Sequence, residues 1–324
     1  MIRPAAPYAR PVPPVPHGGH LRVVAPCGVV DPARLDRPRA LLEAAGFTLS
    51  LSPSVSLRDP AAPYLAGDDH ARARALTDAF LDPAVDGVVC ARGGYGAMRL
   101  LPLLDPDLFA RHPKPLLGFS DVTALHGFLN RCAGIASIHG PLLSTLGQHA
   151  DPPDPAGSFD ATLRALRGQD DLVAVDGLRA LSDGEATGPL IGGNLSLIAS
   201  LVGSPFFPAL DGAILFIEEV GEAAYRVDRM LTGLALRGAL SALAGLVIGD
   251  LEPVADAYVA ADRFEAVTLE RLRQLTDDLG VPVALGLPVG HGAMNRPLPF
   301  GTRATLRCLD GSARLEVQPA TLKE

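Results

Sequence analysis

Short apolar runs separated by amphipathic stretches recur along the chain from residue 21 onward. "LRVVAP" reads as a buried strand, "DPARLDRPRALLEAAG" as a helix with Asp31 at its N-cap and Pro32 at its first position, and "FTLSLSP" as a second strand. The order continues through helix "DDHARARALTDAFLD", strand "DGVVCARGGYG", a short helix near "AMRLLPLL" and strand "PLLGFSD". Strands that alternate with amphipathic helices predict an α/β fold: a parallel, doubly wound, flavodoxin-like sheet whose ligands gather at the carboxyl ends of its strands.

The pattern weakens and then resumes. Residues 1–20, "MIRPAAPYARPVPPVPHGGH", hold six prolines and are expected to be extended or disordered, because each proline fixes a torsion and removes a backbone donor. Residues 21–150 make the N-terminal α/β domain. Residues 151–187 are rich in Pro, Gly and Asp and are expected to be a linker. Residues 188–324 make a second domain, with strand "AILFIEEV", helix "AYRVDRMLTGLALRGAL", strand "LAGLVIGD", helix "RFEAVTLERLRQLTDDLG", the stretch "VPVALGLPVGHG" and a hairpin turning on Asp310-Gly311.

Composition narrows the function classes. The 324 residues are 48% hydrophobic with a formal net charge of -8, which supports a sizeable core and argues against a nucleic-acid partner, since phosphate binding needs clustered Lys and Arg. Cys27, Cys90, Cys132 and Cys308 are far apart and form no CxxC pair, so buried free thiols are expected. No apolar run reaches the ~20 residues of a membrane span, and the prolines interrupt any signal-peptide core, so a cytoplasmic protein without membrane contact is expected. HExxH, Cys/His clusters and EF-hand loops are absent, and neither a metal nor a cofactor is expected.

The candidate chemistry lies at strand ends. Ser120 in "GFSDVTALH" follows a strand and precedes a helix, so it is either a helix cap, together with Asp121, or a nucleophile beside the helix's first amides. A serine nucleophile needs a base and a group that orients the base. Gly93, Gly94 and Gly96 of "CARGGYGAM" mark a tight turn or a close approach to a ligand, without the spacing of a phosphate loop. Among the histidines, His126 and His139 read as core residues, and His70, His112 and His149 as solvated. His291, between two glycines in "LPVGHG", can project into a cleft. Glu218 and Glu219 end an apolar strand, a costly place for carboxylates that are not paired or at a rim. Asn194 in "IGGNLSL" stands near a helix cap.

These pieces together resemble the LD-carboxypeptidase family of serine peptidases, over roughly residues 21–310. The motifs "VVAP", "RGGYG", "GFSDVTALH", "IHGP", "GGNLSL", "LFIEEVGEAAYRVDRML" and "LPVGHG" occur in the family's order. The resemblance implies a β-rich C-terminal domain and a catalytic triad of Ser120 as nucleophile, Glu218 as orienter and His291 as general base. Choosing Glu218 over Glu219 rests on the family pattern alone. It further implies an oxyanion hole of the Gly94 and Asp121 amides, with Arg92, Gly93 and Asn194 as candidate substrate contacts, and a cytoplasmic homodimer. The implied reaction removes terminal D-Ala from murein tetrapeptides through an acyl-enzyme.

Two other readings stay open at this point. A second branch of the family, the microcin C immunity peptidases, cleaves peptidyl or aminoacyl nucleotides and commonly stacks the base on an aromatic residue, often Trp. This chain has no Trp, which favours the murein substrate, although Phe or Tyr could stack instead. A catalytically silent muropeptide-binding module is the non-enzyme alternative.

Overall fold

Two sheets organise the chain in the computed structural model, which describes residues 7–146, 158–254 and 258–323. Each is the frame of its own compact unit.

The first sheet takes β1 (His20–Val24), β2 (Thr48–Leu51), β3 (Gly87–Cys90), β4 (Leu116–Gly118) and β5 (Ser137–His139) in the order β2-β1-β3-β4-β5, all parallel. β3, β4 and β5 are buried along their whole length, which is why they read as continuous apolar runs. Leu21, Val23, Val89, Leu117 and Ile138 face one core with α1 (Asp36–Ala44), α5 (Leu143–Leu146) and α6 (Ser158–Arg167). A second core is built around α2 (Asp69–Leu81), α3 (Pro106–Arg111) and α4 (Thr123–Phe128), where Phe80, Phe109 and Phe128 pack edge to face at 4.7 and 5.7 Å between centroids. The expected cap is present, since Asp31 accepts from the Ala33 amide with Pro32 beside it; Asp68 likewise accepts from Ala71 ahead of α2.

The second unit is a closed barrel of seven strands. β6 (Val173–Ser182), β7 (Gly184–Asn194), β8 (Ile214–Glu222), β9 (Gly245–Pro253), β10 (Val283–Leu285), β12 (Arg303–Leu309) and β13 (Ser312–Val317) close in the order β10-β6-β13-β12-β7-β8-β9. β7, β8, β9 and β10 run parallel, the remaining pairs antiparallel. The connections between the parallel strands carry α7 (Leu195–Ser200), α8 (Ala224–Leu236) and α9 (Ala261–Thr276). The β12–β13 hairpin turns on Asp310 and Gly311, whose φ values of 50° and 78° suit a tight two-residue turn. Among the described residues no helix is long and apolar enough to cross a membrane.

The domain boundaries differ from those expected. The first unit runs to Asp171 and takes back Arg296–Thr302 and Pro319 onward, so residues 188–324 are not one block. Within the returning segment, β11 (Leu298–Phe300) pairs antiparallel with β5 and finishes the first sheet. The stretch 151–187 is not a plain linker either. From residue 158 on it holds α6, which buries Ala161 and Leu166, and the barrel strand β6. β6 escapes pattern reading because only Val175 and Leu178 of its ten residues are buried. His149 lies outside the described residues.

The N-terminal prolines do not leave their segment loose. From residue 7 it is extended and docked, with Val12 and Val15 buried and the amides of Ala9, Arg10, Val12 and Val15 bonded to Gly301, Gly134, Ala320 and Leu166. Proline removes donors only at its own positions, so the residues between prolines still anchor an extended strap.

Candidate active site

β1 and β3 are the neighbours between which the strand order reverses, and open α/β sheets bind ligands outside the strand ends at that point. A cleft of about 980 Å³ lies there, lined by Gly28 to Pro32 after β1, by Arg92, Gly94 and Tyr95 after β3, and by Arg58, Pro63 and Tyr64. Its backbone frame is tied across the gap, since the Gly28 amide donates to the Gly93 carbonyl at 3.0 Å. Gly94 and Gly96 adopt φ of 101° and 126°, a region open to glycine and costly to other residues.

Arg72, in α2, is the part of this frame that sequence reading passed over. It is fully buried and donates to the carbonyls of Gly67 and Gly96, each at 3.0 Å, and to that of Pro26, while also pairing with Asp69. One guanidinium thus fastens the end of β1 to the glycine turn after β3. The available signal was its spacing, because Arg72 shares the buried face of α2 with Leu76, Ala79 and Phe80.

Ser120 follows β4 with φ of 64°, one of two non-glycine residues in the left-handed region among the described residues. That conformation costs about 1–2 kcal/mol for a residue with a Cβ, and such strain concentrates at functional turns. The 3₁₀ turn Ser120–Val122 has Phe119 at its N-cap and α4 has Val122, and neither of these two side chains makes a capping bond. Asp121 is buried and its Oδ2 accepts from the Ala97 amide at 2.8 Å, joining the serine turn to the segment after the glycine turn. Burial raises the Asp121 carboxyl above its usual range, opposed by the Ala97 amide, the Cys27 thiol and Arg72. The Cys27 thiol is itself pushed well up, by burial first and then by the Asp121 charge, so it stays protonated and is a poor nucleophile.

Gly93 explains why the turn before Ser120 carries no side chain. A Cβ at Gly93 would lie 3.0 Å from Ser120 Cβ and 3.1 Å from its Oγ. Arg92 is exposed on the cleft, with one guanidinium nitrogen bonded to the Val29 carbonyl.

In the barrel unit, both glutamates lie buried in the middle of β8 and meet different partners. Glu218 Oε2 is 2.8 Å from His291 Nδ1. Glu219 instead accepts from the amides of Ser196 and Val220 at 2.7 and 2.9 Å and from Asn194 Nδ2 at 3.1 Å. Glu219 therefore satisfies the start of α7, where Asn194 is the N-cap and accepts from Leu197. Asn194, expected as a substrate contact, is buried and employed in this network beside both carboxylates.

Electrostatics couple the Glu218–His291 pair. Burial raises the Glu218 carboxyl, and the hydrogen bond and charge of His291 oppose the rise. Burial pulls the His291 imidazole down, but the hydrogen bond and charge of Glu218, with the charges of Glu252 and Glu219, outweigh it and leave His291 above its ordinary value. With Nδ1 engaged by the carboxylate, the imidazole offers Nε2 for proton transfer. His126 is the contrasting case: buried, with Nδ1 2.7 Å from Ser137 Oγ and Nε2 2.8 Å from the Gly118 carbonyl, and pushed down to about 4 by burial. His139 is buried in β5. Among the described residues no group of three or more His, Cys, Asp or Glu side chains is arranged to hold a metal ion.

Comparison with known proteins gives a consistent picture. Residues 21–140 match the model of the LD-carboxypeptidase N-terminal domain, and residues 187–306 that of the LD-carboxypeptidase C-terminal domain. The murein tetrapeptide carboxypeptidase of Pseudomonas aeruginosa is 34% identical over 90% of this chain and 94% of its own length. The crystal structure of muramoyltetrapeptide carboxypeptidase from Oxalobacter formigenes superposes with a TM-score of 0.81 at 28% identity, over 94% of this chain and 100% of that one. The microcin C7 self-immunity protein MccF, solved in complex with aspartyl sulfamoyl adenosine, shares the fold, with a TM-score of 0.84 at 22% identity over 97% and 100% of the two chains.

Proposed function

The chain belongs to the LD-carboxypeptidase family and is a serine-type hydrolase of the carboxypeptidase class, and from that premise we propose that it releases terminal D-Ala from murein tetrapeptides. The observation that carries the catalytic assignment is the 2.8 Å hydrogen bond between His291 Nδ1 and the buried Glu218. In this reading Ser120 is the nucleophile, His291 the general base and Glu218 the group that orients the imidazole and stabilises its charge.

The reaction runs in two halves. Ser120 Oγ attacks the carbonyl carbon of the L-configured residue while His291 Nε2 takes its proton. The negative oxygen that develops is held by the amides of Gly94 and Asp121, at two neighbouring strand ends. Collapse breaks the peptide bond, His291 returns the proton to the leaving amine of D-Ala, and the acyl-enzyme remains. Water, deprotonated by His291, attacks the ester and frees both the shortened peptide and Ser120.

The cleft at the β1/β3 ends suits such a substrate. Arg92 and Arg58 line it, each bonded to a backbone carbonyl, and present positive charge to a peptide rich in carboxylates, although the chain is acidic as a whole. The wider reading includes a cytoplasmic homodimer. The test is D-Ala release from purified tetrapeptide, with an aminoacyl sulfamoyl adenylate assayed alongside. Turnover of tetrapeptide that disappears in Ser120→Ala, with the circular dichroism spectrum unchanged, is the expected result. Turnover of the nucleotide alone, or full activity in the variant, overturns the proposal.

A further inference from the structure

His291 sits on a loop that has little of its own to hold it. Gly286, Gly290 and Gly292 leave the backbone from 286 to 292 permissive, and Gly286 and Gly290 adopt φ of 85° and 140°. A general base must nevertheless be held to within a fraction of an ångström of its working position.

The structure shows what restrains it. The loop runs alongside the middle of β9: the Leu287 amide donates to the Ile248 carbonyl at 3.0 Å, and the Asp250 amide to the Val289 carbonyl at 2.9 Å. The Asp250 side chain then reaches past His291, and its Oδ2 accepts from the Gly292 amide at 3.1 Å. From the other side, the buried Asn295 Oδ1 accepts from the Gly290 amide at 3.4 Å.

The two glycines flanking His291 are shaped around this carboxylate. A Cβ at Gly290 would lie 2.8 Å from Asp250 Cβ and 3.2 Å from Glu218 Cβ, and one at Gly292 would lie 2.6 Å from Asp250 Oδ2. Gly249, one residue earlier, is equally constrained, since its Cβ would meet the Val289 carbonyl oxygen at 2.4 Å. The Gly-His-Gly motif is therefore half of a contact whose other half is Asp250.

We propose that Asp250 is a positioning residue for the reaction: its carboxylate clamps the His291 loop through the Gly292 amide and so sets where the imidazole meets Glu218. The proposal rests on the assignment of His291 as general base. Asp250 is half-buried, and burial, with the charges of Glu252 and Glu218, raises its carboxyl to about 6, against the opposing pull of the Gly292 amide and His291. Glu265 of α9 lines the same recess. In the carboxylate form Asp250 also adds negative charge near the imidazole.

Two variants separate clamp from charge. Asp250→Ala removes both, whereas Asp250→Asn keeps an oxygen that can accept from Gly292 and loses the charge. Two readouts are used: D-Ala release from tetrapeptide, and the rate at which a fluorophosphonate probe labels the serine. In Asp250→Ala, kcat and the labelling rate are expected to fall about 100-fold with KM within twofold of wild type. In Asp250→Asn, both are expected within about fivefold of wild type, with the acid limb of kcat/KM moved to lower pH as the His291 value falls. Wild-type labelling in Asp250→Ala, or labelling in Asp250→Asn that falls as far as in Asp250→Ala, overturns the proposal. Should Asp250→Ala fail to fold, Asp250→Ser, whose shorter side chain takes the acceptor away from the Gly292 amide, decides it by the same labelling rate. A wild-type chain that releases no D-Ala yet labels with the probe refutes the murein reading, and labelling in the variants still decides the role of Asp250.

Discussion

Ser120 and His291 are placed by opposite means. In the sheet unit the serine is held by backbone: a buried parallel strand delivers it, a left-handed φ of 64° exposes it, and the bare Cα of Gly93 packs against it. In the barrel unit the histidine is held by side chains, with Glu218 bonded to its ring and Asp250 to its loop. Backbone placement is sensitive to volume and conformation, whereas side-chain placement is sensitive to charge and hydrogen-bonding capacity. Substitutions should therefore fail in different ways in the two units.

The largest expected effect lies in the barrel unit. Glu218→Gln should lower kcat by about 10³–10⁴, because an amide in place of the carboxylate no longer enforces the right tautomer or stabilises the imidazolium. Glu219→Gln should instead lower stability by about 1–2 kcal/mol, by weakening the start of α7, with a smaller effect on kcat. Steady-state kinetics and denaturant unfolding on both variants check the contrast. A larger kcat loss in Glu219→Gln would reverse the assignment that the geometry supports.

Gly93→Ala probes the sheet unit. The added methyl would meet Ser120 Cβ and Oγ at 3.0 and 3.1 Å, so the serine must shift by a few tenths of an ångström. A loss of about 100-fold in kcat/KM is expected, with the melting temperature little changed. Wild-type activity would show that the close packing of Gly93 on Ser120 is incidental.

The smallest effects are titrations, and they set one histidine against the other. His291 lies above the ordinary imidazole value, so activity should rise with pH along a limb centred above about 6.5, as the base loses its proton. His126, at about 4, stays neutral until far more acid conditions. Unfolding exposes His126 to its ordinary value near 6.5, so its contribution to stability is present above that value and is lost as pH falls towards 4. Proton NMR of the imidazole resonances distinguishes the two directly. A His126 that titrates near 6.5 would contradict its burial between Ser137 and Gly118.

Much of this molecule is legible in its pattern of residues. The alternation from residue 21 to 121 predicts the parallel sheet, because buried strands need continuous apolar runs and covering helices need one apolar face. The cap at Asp31 and the hairpin at Asp310-Gly311 are local, so local chemistry decides them. The resemblance of seven short motifs points to Ser120, Glu218 and His291 for the same reason, since each motif is a few residues held in one turn or strand end.

Only the tertiary structure decided the rest, wherever the deciding partner is distant in sequence. β11 and the C-terminal residues rejoin the first unit through contacts made more than a hundred residues away, which no periodicity records. The Pro-rich start is docked because Leu166, Gly301 and Ala320 supply its acceptors. Two adjacent glutamates look alike in "FIEEVGE", and they diverge through partners distant in sequence: Glu218 meets His291, and Glu219 meets the first turn of α7. Arg72 and Asp250, an ordinary helix arginine and an ordinary strand-end aspartate in the sequence, acquire their roles from the glycine turns brought against them.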